Sequence, residues 1–487
     1  MLKEKIGYGP LGNSGKGPDF PAPGLDLLQR SVWSAIGRYK DRIINVAFSG
    51  GVDSTVLLMV TASLRPRIGF GLRALHVNHG WSEDADRWQA HCRQVAQELD
   101  IPFLASRPDS DIPNEQNDEA FGGSSNEARA RQTRYRFFAD VVAPEDLLLT
   151  GHHLDDQAET FLLRLMRGSS VRGLGSMRTE QTLNGLKVVR PFLDLPKATL
   201  AGWAAENGAK FFDDPSNRDP NFDRNFLRHD ILARLSSRWV EAAQTLGRAA
   251  TQFQHAQSIL DEVASDDLRI CALSQPGCCL GNLGAASLSS LLGLSRPRLL
   301  NVLRFWTRQG DLGTPSERAL EEFIRQLEMG SPGTSPMLSL RTAAFRTYRD
   351  GVFLIPGPLP EVSIPPRIES WDGSRVNISS VGIELIPEET LGSGLRVSLI
   401  REGRVELRWQ RGQTKVTPVG RGPHRHDLRK VLQQAGVPPW ERARIPLIFI
   451  DDRFAGMPQV VLDESCRARS GEAGLEVHLR DLRKPGP

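Results

Sequence analysis

No stretch of the 487 residues approaches the roughly 18 consecutive apolar residues of a membrane span. This argues against helical membrane insertion. Cysteine is scarce: the chain holds five, with only Cys278 and Cys279 adjacent. Neither a disulfide framework nor a Cys-x-x-Cys zinc site follows from that pattern, and a reducing compartment, the cytoplasm, is expected. Charge of one sign is also lacking, since the formal net charge is only +3; by itself it commits the chain to no polyanion. No internal repeat is found. Residues 1–24 lack the apolar centre of a secretory signal and carry Gly, Pro and polar groups instead, as a disordered leader would.

What is present is the balance of a globular protein, 39% hydrophobic and 24% charged residues. The length implies two to four domains. The small net charge hides a local excess: from Arg401 to Arg444 basic residues outnumber acids, and Trp409 and Trp440 are interleaved with them. That mixture suits either a nucleic-acid surface or a solvated basic face.

Short apolar strands are expected at Arg42–Phe48, Leu72–Val77 and Leu147–Thr150. Helices are expected at Ser54–Ser63, Asp86–Leu99 and Asp156–Met166, the last with Leu162, Leu165 and Met166 on one side. Alternation of this kind predicts an α/β domain with a Rossmann-like parallel sheet, whose ligands bind at the carboxyl ends of the strands. Residues 107–125 interrupt it as a polar, mobile insertion. After about Leu235 a mainly helical domain is expected, with no clear strand before "AAFRTYRDGVFLIP". A Pro-rich linker over 356–393 and a small α+β domain over 394–487, opened by a hairpin in "LRVSLIREGRVELRW", complete the chain.

The most informative stretch is "FSGGVDSTVLL", Phe48 to Leu58. A glycine-rich turn between strand and helix exposes backbone N–H groups where the helix dipole favours negative charge. Ser49, Gly50, Gly51, Val52, Asp53 and Ser54 therefore form a candidate phosphate loop. Asp53 is placed to hold a magnesium ion. The lysine of a G-x-x-x-x-G-K-[ST] loop is absent; its imitation, "GNSGKG", lies in the leader with no strand before it. A pyrophosphate leaving group needs donors and a metal, whereas a transferred γ-phosphoryl needs a lysine clamp. The loop alone leaves the substrate open.

Other residues carry two readings each. Asp155, Asp156 and Glu159 stand where helix N-termini favour carboxylates in any protein, yet the spacing of Asp156 and Glu159 puts both on one face. Arg131 shares its helix with Arg129, Arg134 and Arg136, and is either a phosphate ligand or a surface ion-pair partner. Arg224 and Arg228 begin a basic helix. His76, His79, His152 and His153 lack the thiolate or third ligand of a zinc site and are expected to shape the nucleotide pocket.

The form S-G-G-x-D-S resembles the pyrophosphatase loop of the N-type ATP pyrophosphatases. With "LRALHVNHGW", "NEARARQTRYRFF", "TGHHLDDQAETFLLRLMRGSSVRGLGSM", "RPFLDLPKATL", "FFDDPSNRDPNFDRNFLRHDIL" and the tail stretch "HRHDLRKVLQQAGVPPWERARIPLIF", the chain resembles the tRNA(Ile)-lysidine synthetases. The resemblance implies that ATP activates the 2-carbonyl of the wobble cytidine of a tRNA(Ile) with CAU anticodon. The ε-amine of free L-lysine then displaces AMP. It also implies that Ser49 to Ser54 line the triphosphate with Asp53 near magnesium, and that Arg131 meets phosphate or developing charge. Asp156 and Glu159 would receive lysine, with Arg224 in the active site. Under it the domains are a nucleotide domain over 25–235, a helical tRNA-binding domain over 236–355 and a tRNA-binding tail. A PP-loop tRNA thiolase and a non-catalytic tRNA-binding protein are the alternatives, and a homodimer stays open. Trp81 in place of a leucine, the 107–125 insertion and the leader depart from the family pattern, but none touches the loop or the carboxylates.

Overall fold

The computed structural model describes residues 24–80, 84–107, 125–212, 223–273, 284–309, 312–313, 315–330, 335–356, 368–409 and 414–482. The expected leader, Trp81 and nearly all of the 107–125 insertion lie outside these residues. The chain divides into two compact units, residues 1–258 and 259–487.

In the first unit, helix α1 (Leu27–Ile36) precedes β1 (Ile43–Ala47), α2 (Val52–Ile68), β2 (Gly71–Val77), α3 (Ala85–Glu98), β3 (Phe103–Ser106) and α4 (Ser125–Val141). Then follow β4 (Leu147–Leu149), α5 (Leu154–Met166), the short α6 (Val171–Leu174), β5 (Glu180–Leu183), β6 (Leu186–Val189) and α7 (Lys197–Glu206). The sheet runs in the order β3-β2-β1-β4-β6-β5, parallel except for β5. This is the expected Rossmann-like parallel sheet.

Both faces of the sheet are covered. Ile44, Val46, Ala74, Leu147 and Leu149 point into a core shared with α1, α2, α3 and α7. Their alternates Leu75, Leu148 and Val188 pack with Tyr135, Phe138 and Val142 around α4. Period-2 alternation on a doubly covered sheet gives continuous apolar strands, which is why "LLL" is buried at every position. The crossover direction changes between β1 and β4, so the crevice at their carboxyl ends is the ligand position of the fold.

Helix α5 corrects one expectation. Leu165 and Met166 are exposed, and the buried positions are Leu154, Gln157, Ala158, Glu159, Thr160 and Phe161. The helix buries its polar first turns because they line the crevice.

In the second unit, β7 (Ala285–Ser287), β8 (Met337–Ser339), β9 (Ala343–Tyr348) and β10 (Gly351–Pro356) form an antiparallel sheet in the order β7-β10-β9-β8. Helices α8 (Arg296–Gln309) and α9 (Glu317–Met329) share its core, including Trp306, Phe323 and Phe345. Strand β7 is three residues long and is held by partners far along the chain, which explains its absence from the local pattern.

Further differences lie toward the tail. The linker expected over 356–393 contains strands β11 (Val376–Ile378) and β12 (Ile383–Leu391), the latter paired along its length with Ala473–Asp481. Proline density suggests a linker, but Pro387 faces Val477 without ending the strand. The hairpin expected around Glu402 and Gly403 is instead a helix, Val397–Glu402, followed by a strand, Val405–Arg408. "VSLIRE" satisfies either period, and burial of Ile400 selects the helix. Trp409, expected on a basic and aromatic surface, is buried and donates its Nε1–H to Arg444 O at 3.0 Å.

Candidate active site

The β1–α2 loop is built without a side-chain cap. Gly51 is the N-cap of α2 and supplies no capping side chain, so the first-turn amides are left to an outside acceptor. Gly50 has φ of 88°, a left-handed backbone that favours glycine. The hydroxyls hold the loop: Ser54 Oγ and Thr55 Oγ1 donate to Gly51 O at 3.1 and 2.9 Å, and Ser49 N–H donates to Ser54 Oγ at 3.2 Å. Ser54 is buried, so its first task is to shape the loop.

Three neighbours fix this loop from outside. His76 Nδ1 bonds Phe48 O at 2.9 Å, and Phe212 N–H donates to Gly50 O at 2.9 Å. Cys92 lies directly against Gly50: a Cβ there would fall 2.7 Å from Sγ. Burial pushes the Cys92 thiol up to about 12, so it is a packing group. Gly50→Ala meets both the strained φ and that sulfur. We expect ATP affinity to fall at least about tenfold by nucleotide titration. Adding Cys92→Ala should restore only part of the loss, because the backbone strain remains.

The loop after β4 closes onto the same helix terminus. At Gly151 a Cβ would lie 3.0 Å from the Asp53 carbonyl, so glycine lets the two loops pack backbone to backbone. His153 is the N-cap of α5: its Nδ1 accepts the Asp156 N–H at 3.3 Å, and Asp156 Oδ2 accepts the His153 N–H at 3.1 Å. The imidazole is 1% exposed and its Nε2 stands 3.6 Å from Asp53 Oδ2 and 3.4 Å from Asp156 Oδ2. Burial works against its protonation, but Asp53, Asp156 and Asp155 outweigh burial and raise its pKa above the ordinary value. His152, bonded through Nδ1 to Thr150 Oγ1 at 2.8 Å, is pushed down to about 3 by burial, with Arg190, Arg131 and Arg224 adding to the shift. Burial, with Arg134 and His76, pushes His79 down to about 4.

The three acidic residues of α5 divide their work. Asp155 Oδ2 accepts the Lys197 N–H at 2.8 Å and so anchors the start of α7. Glu159 is fully buried and receives Arg228 through Nε–Oε1 at 2.6 Å and Nη2–Oε2 at 3.0 Å, while Arg228 Nη2 also reaches Asp156 Oδ1 at 3.3 Å. Arg228 lies in a π-helical turn, Leu227–Leu232, a rare winding that recurs at functional sites. Arg224 donates instead to Thr160 Oγ1 at 3.3 Å.

A group of arginines gathers near His152. Arg131 lies over the Tyr135 ring, 5.4 Å from its centre. Arg190 Nη1 donates to Arg178 O at 2.7 Å, and Arg164 Nη1 donates to Gly173 O and Ser176 O at 2.8 and 3.0 Å. Burial, reinforced by Arg131, Arg224 and Arg190, lowers Arg164 to about 10. Guanidinium groups that repel one another in a crevice create a field for an anion. The sequence alone assigns no individual role to Arg164, Arg190 or His153. Their stretches, "LLRLMRGS", "VVRPFL" and "TGHHLDD", are the only signal.

Among the described residues no group of three or more His, Cys, Asp or Glu side chains is arranged to hold a metal ion. Asp53 nevertheless fits one. Among the described residues its Oδ1 is buried with no hydrogen-bond partner, and a lone carboxylate oxygen beside the N-terminal amides of α2 is suited to a cation shared with phosphate.

The chain matches three protein families in succession: the PP-loop domain over residues 26–235, the TilS substrate binding domain over 287–353 and the TilS substrate C-terminal domain over 405–479. It is 31% identical over 436 residues to a tRNA(Ile)-lysidine synthase of Coxiella burnetii, covering 89% of this chain and 92% of that one. The corresponding enzyme of Alkalilimnicola ehrlichii is 36% identical over 429 residues, 88% and 91% of the two chains. That of Serratia proteamaculans is 33% identical over 451 residues, 90% and 96%.

Proposed function

We infer the reaction from one premise: this chain belongs to the tRNA(Ile)-lysidine synthase family and is an enzyme of that type. We propose that it joins free L-lysine to C2 of the wobble cytidine of a tRNA(Ile) with CAU anticodon. In the first step the cytidine O2 attacks the α-phosphorus of ATP and pyrophosphate leaves. In the second the lysine ε-amine attacks C2, the C2–O bond breaks and AMP leaves with that oxygen. The amine gives up a proton. One lysine is added for one ATP converted to AMP and pyrophosphate.

One observation carries this reading. The triphosphate loop and the carboxylates Asp156 and Glu159 lie at the carboxyl ends of adjacent strands, joined through His153. Ser49 to Ser54 hold the triphosphate, and Asp53 holds a magnesium ion that neutralises its charge. Arg131 and Arg224, with Arg164 and Arg190, supply the field for phosphate and for charge on the base. Asp156 and Glu159 receive the lysine ammonium, and Asp156, the more exposed of the two, is placed to take its proton. AMP and pyrophosphate should form together only when ATP, magnesium and tRNA are all present; ADP as the product contradicts the scheme. Sulfur transfer is disfavoured by the one cysteine of the first unit, which is buried against Gly50.

The second unit is read as the tRNA-body grip, and the enzyme as working in the cytoplasm. Arg421, Arg425 and Arg429 are exposed, the last within the helix Leu428–Gln434 and the others just before it. Replacing all three by alanine should weaken tRNA binding and flatten its salt dependence. The slope of log K against log salt should change by about 0.9 for each phosphate that is no longer neutralised. ATP binding should not change. An unchanged slope on folded protein removes these residues from the RNA surface.

A further inference from the structure

A helix N-cap needs only a small oxygen acceptor, and Ser, Thr, Asp and Asn are the residues that usually supply it. Helix α5 uses a histidine instead, and buries it to 1% exposure. Capping does not require that choice. What an imidazole adds is a second nitrogen, held a fixed distance beyond the first.

Nδ1 performs the cap by accepting the Asp156 N–H at 3.3 Å, which leaves the ring proton on Nε2. Nε2 faces Asp53 Oδ2 at 3.6 Å and Asp156 Oδ2 at 3.4 Å. The two oxygens of Asp53 are thereby made unequal. Oδ2 lies toward the imidazole, while Oδ1 is buried with no hydrogen-bond partner among the described residues. The approach is allowed by Gly151, whose missing Cβ brings the α5 loop against the Asp53 backbone.

We propose that His153 is a positioning residue. By facing Asp53 Oδ2 from the N-cap of α5, it turns Oδ1 toward the divalent cation of the nucleotide and ties that carboxylate to Asp156. The inference rests on the reading of Asp53 as the cation-holding residue. It adds a residue that touches the carboxylates of both chemical steps. Groups of this kind orient a ligand without binding the metal, and their loss typically lowers metal affinity 10- to 100-fold.

His153→Asn tests it, because asparagine still caps the helix but is too short to face Asp53. The probe is manganese, titrated by electron paramagnetic resonance with a non-hydrolysable ATP analogue bound. The expected result is a cation dissociation constant raised at least about tenfold. Metal-free binding of the analogue, and the thermal midpoint, should stay close to the parent values. His153→Ser, a second capping residue, should behave the same way and serves if the asparagine variant does not fold. An unchanged manganese affinity in a folded variant overturns the proposal. So does an equal loss of metal-free analogue binding, which marks a merely structural cap, or failure of the parent protein to bind manganese with the analogue. If the manganese result holds while the parent protein adds no lysine to tRNA, the substrate reading fails and the positioning role stands.

Discussion

Asp53→Ala is expected to remove AMP and pyrophosphate formation, lowering the rate by about a thousandfold or more. That factor corresponds to several kcal/mol of charge stabilisation supplied through a bound cation, at about 1.4 kcal/mol per tenfold. The reason is one of sign. A carboxylate in the first turn of α2 stands beside amides aimed at an anion, where it repels a triphosphate unless a cation lies between them. Loss of fold is not the expected cause, since among the described residues Oδ1 has no hydrogen-bond partner and Oδ2 stands 3.6 Å from the His153 imidazole, beyond a hydrogen bond. Circular dichroism and thermal midpoint should match the parent protein while radiolabelled AMP disappears. A folded Asp53→Ala that still makes AMP at a comparable rate shows that Asp53 holds no essential cation.

Arg228→Ala should have the largest effect on stability. Glu159 is fully buried and its charge is answered by the two-pronged Arg228 ion pair. Breaking a buried pair by removing one partner typically costs about 3–5 kcal/mol, because the remaining charge has lost its solvent and its counter-ion. The pH dependence has a definite sign. Burial already raises the Glu159 pKa, against the opposing pull of Arg228, and loss of the arginine raises it further. A carboxyl whose folded pKa exceeds its unfolded value binds more protons when folded. Its contribution is complete below the unfolded pKa, near 4.3, and is lost as pH rises through the folded one. The deficit of Arg228→Ala should therefore narrow on acidification, and Glu159→Gln in the same chain should recover much of the midpoint at neutral pH. Under the proposed reaction, lysine transfer should be lost in the double variant, since the site proposed for the lysine ammonium has lost a charge. A deficit that does not vary with pH places the cost in packing instead.

The parts of this site that are legible in the sequence are those whose chemistry is local. Ser49 to Ser54 lie within the one turn between β1 and α2, and the strands and helices around them fall near the expected bounds. The pairing of Asp156 with Glu159 follows from helical spacing alone. The sequence groups His153 with three other histidines expected to shape the nucleotide pocket; its own contacts, with Asp53 and Asp156, arise only when β1 and β4 lie side by side and Gly151 admits close approach. The sequence reading favours Arg224 over Arg228 for the active site; the structure pairs Arg224 with Thr160 and Arg228 with Glu159 and Asp156, and Arg228 sits in a π-helical turn where a 3.6-residue period no longer predicts direction. In the second unit, β12 escapes a local reading because its partner lies some ninety residues later, at Ala473–Asp481, and nothing near Pro387 announces it. Trp409 departs from expectation for a related reason: composition records that a tryptophan is near arginines, and not that its indole is turned inward to Arg444 O.

Under the proposed function, this crevice joins lysine to cytidine at the expense of ATP. The direct measurement is mass spectrometry of nucleosides released from tRNA(Ile) with CAU anticodon after incubation with the protein, ATP, magnesium and isotope-labelled lysine. The wobble cytidine should disappear and be replaced by a nucleoside heavier by one lysine less one water, carrying the label. An unmodified cytidine alongside sustained ATP cleavage, or a mass gain that corresponds to sulfur, would contradict it.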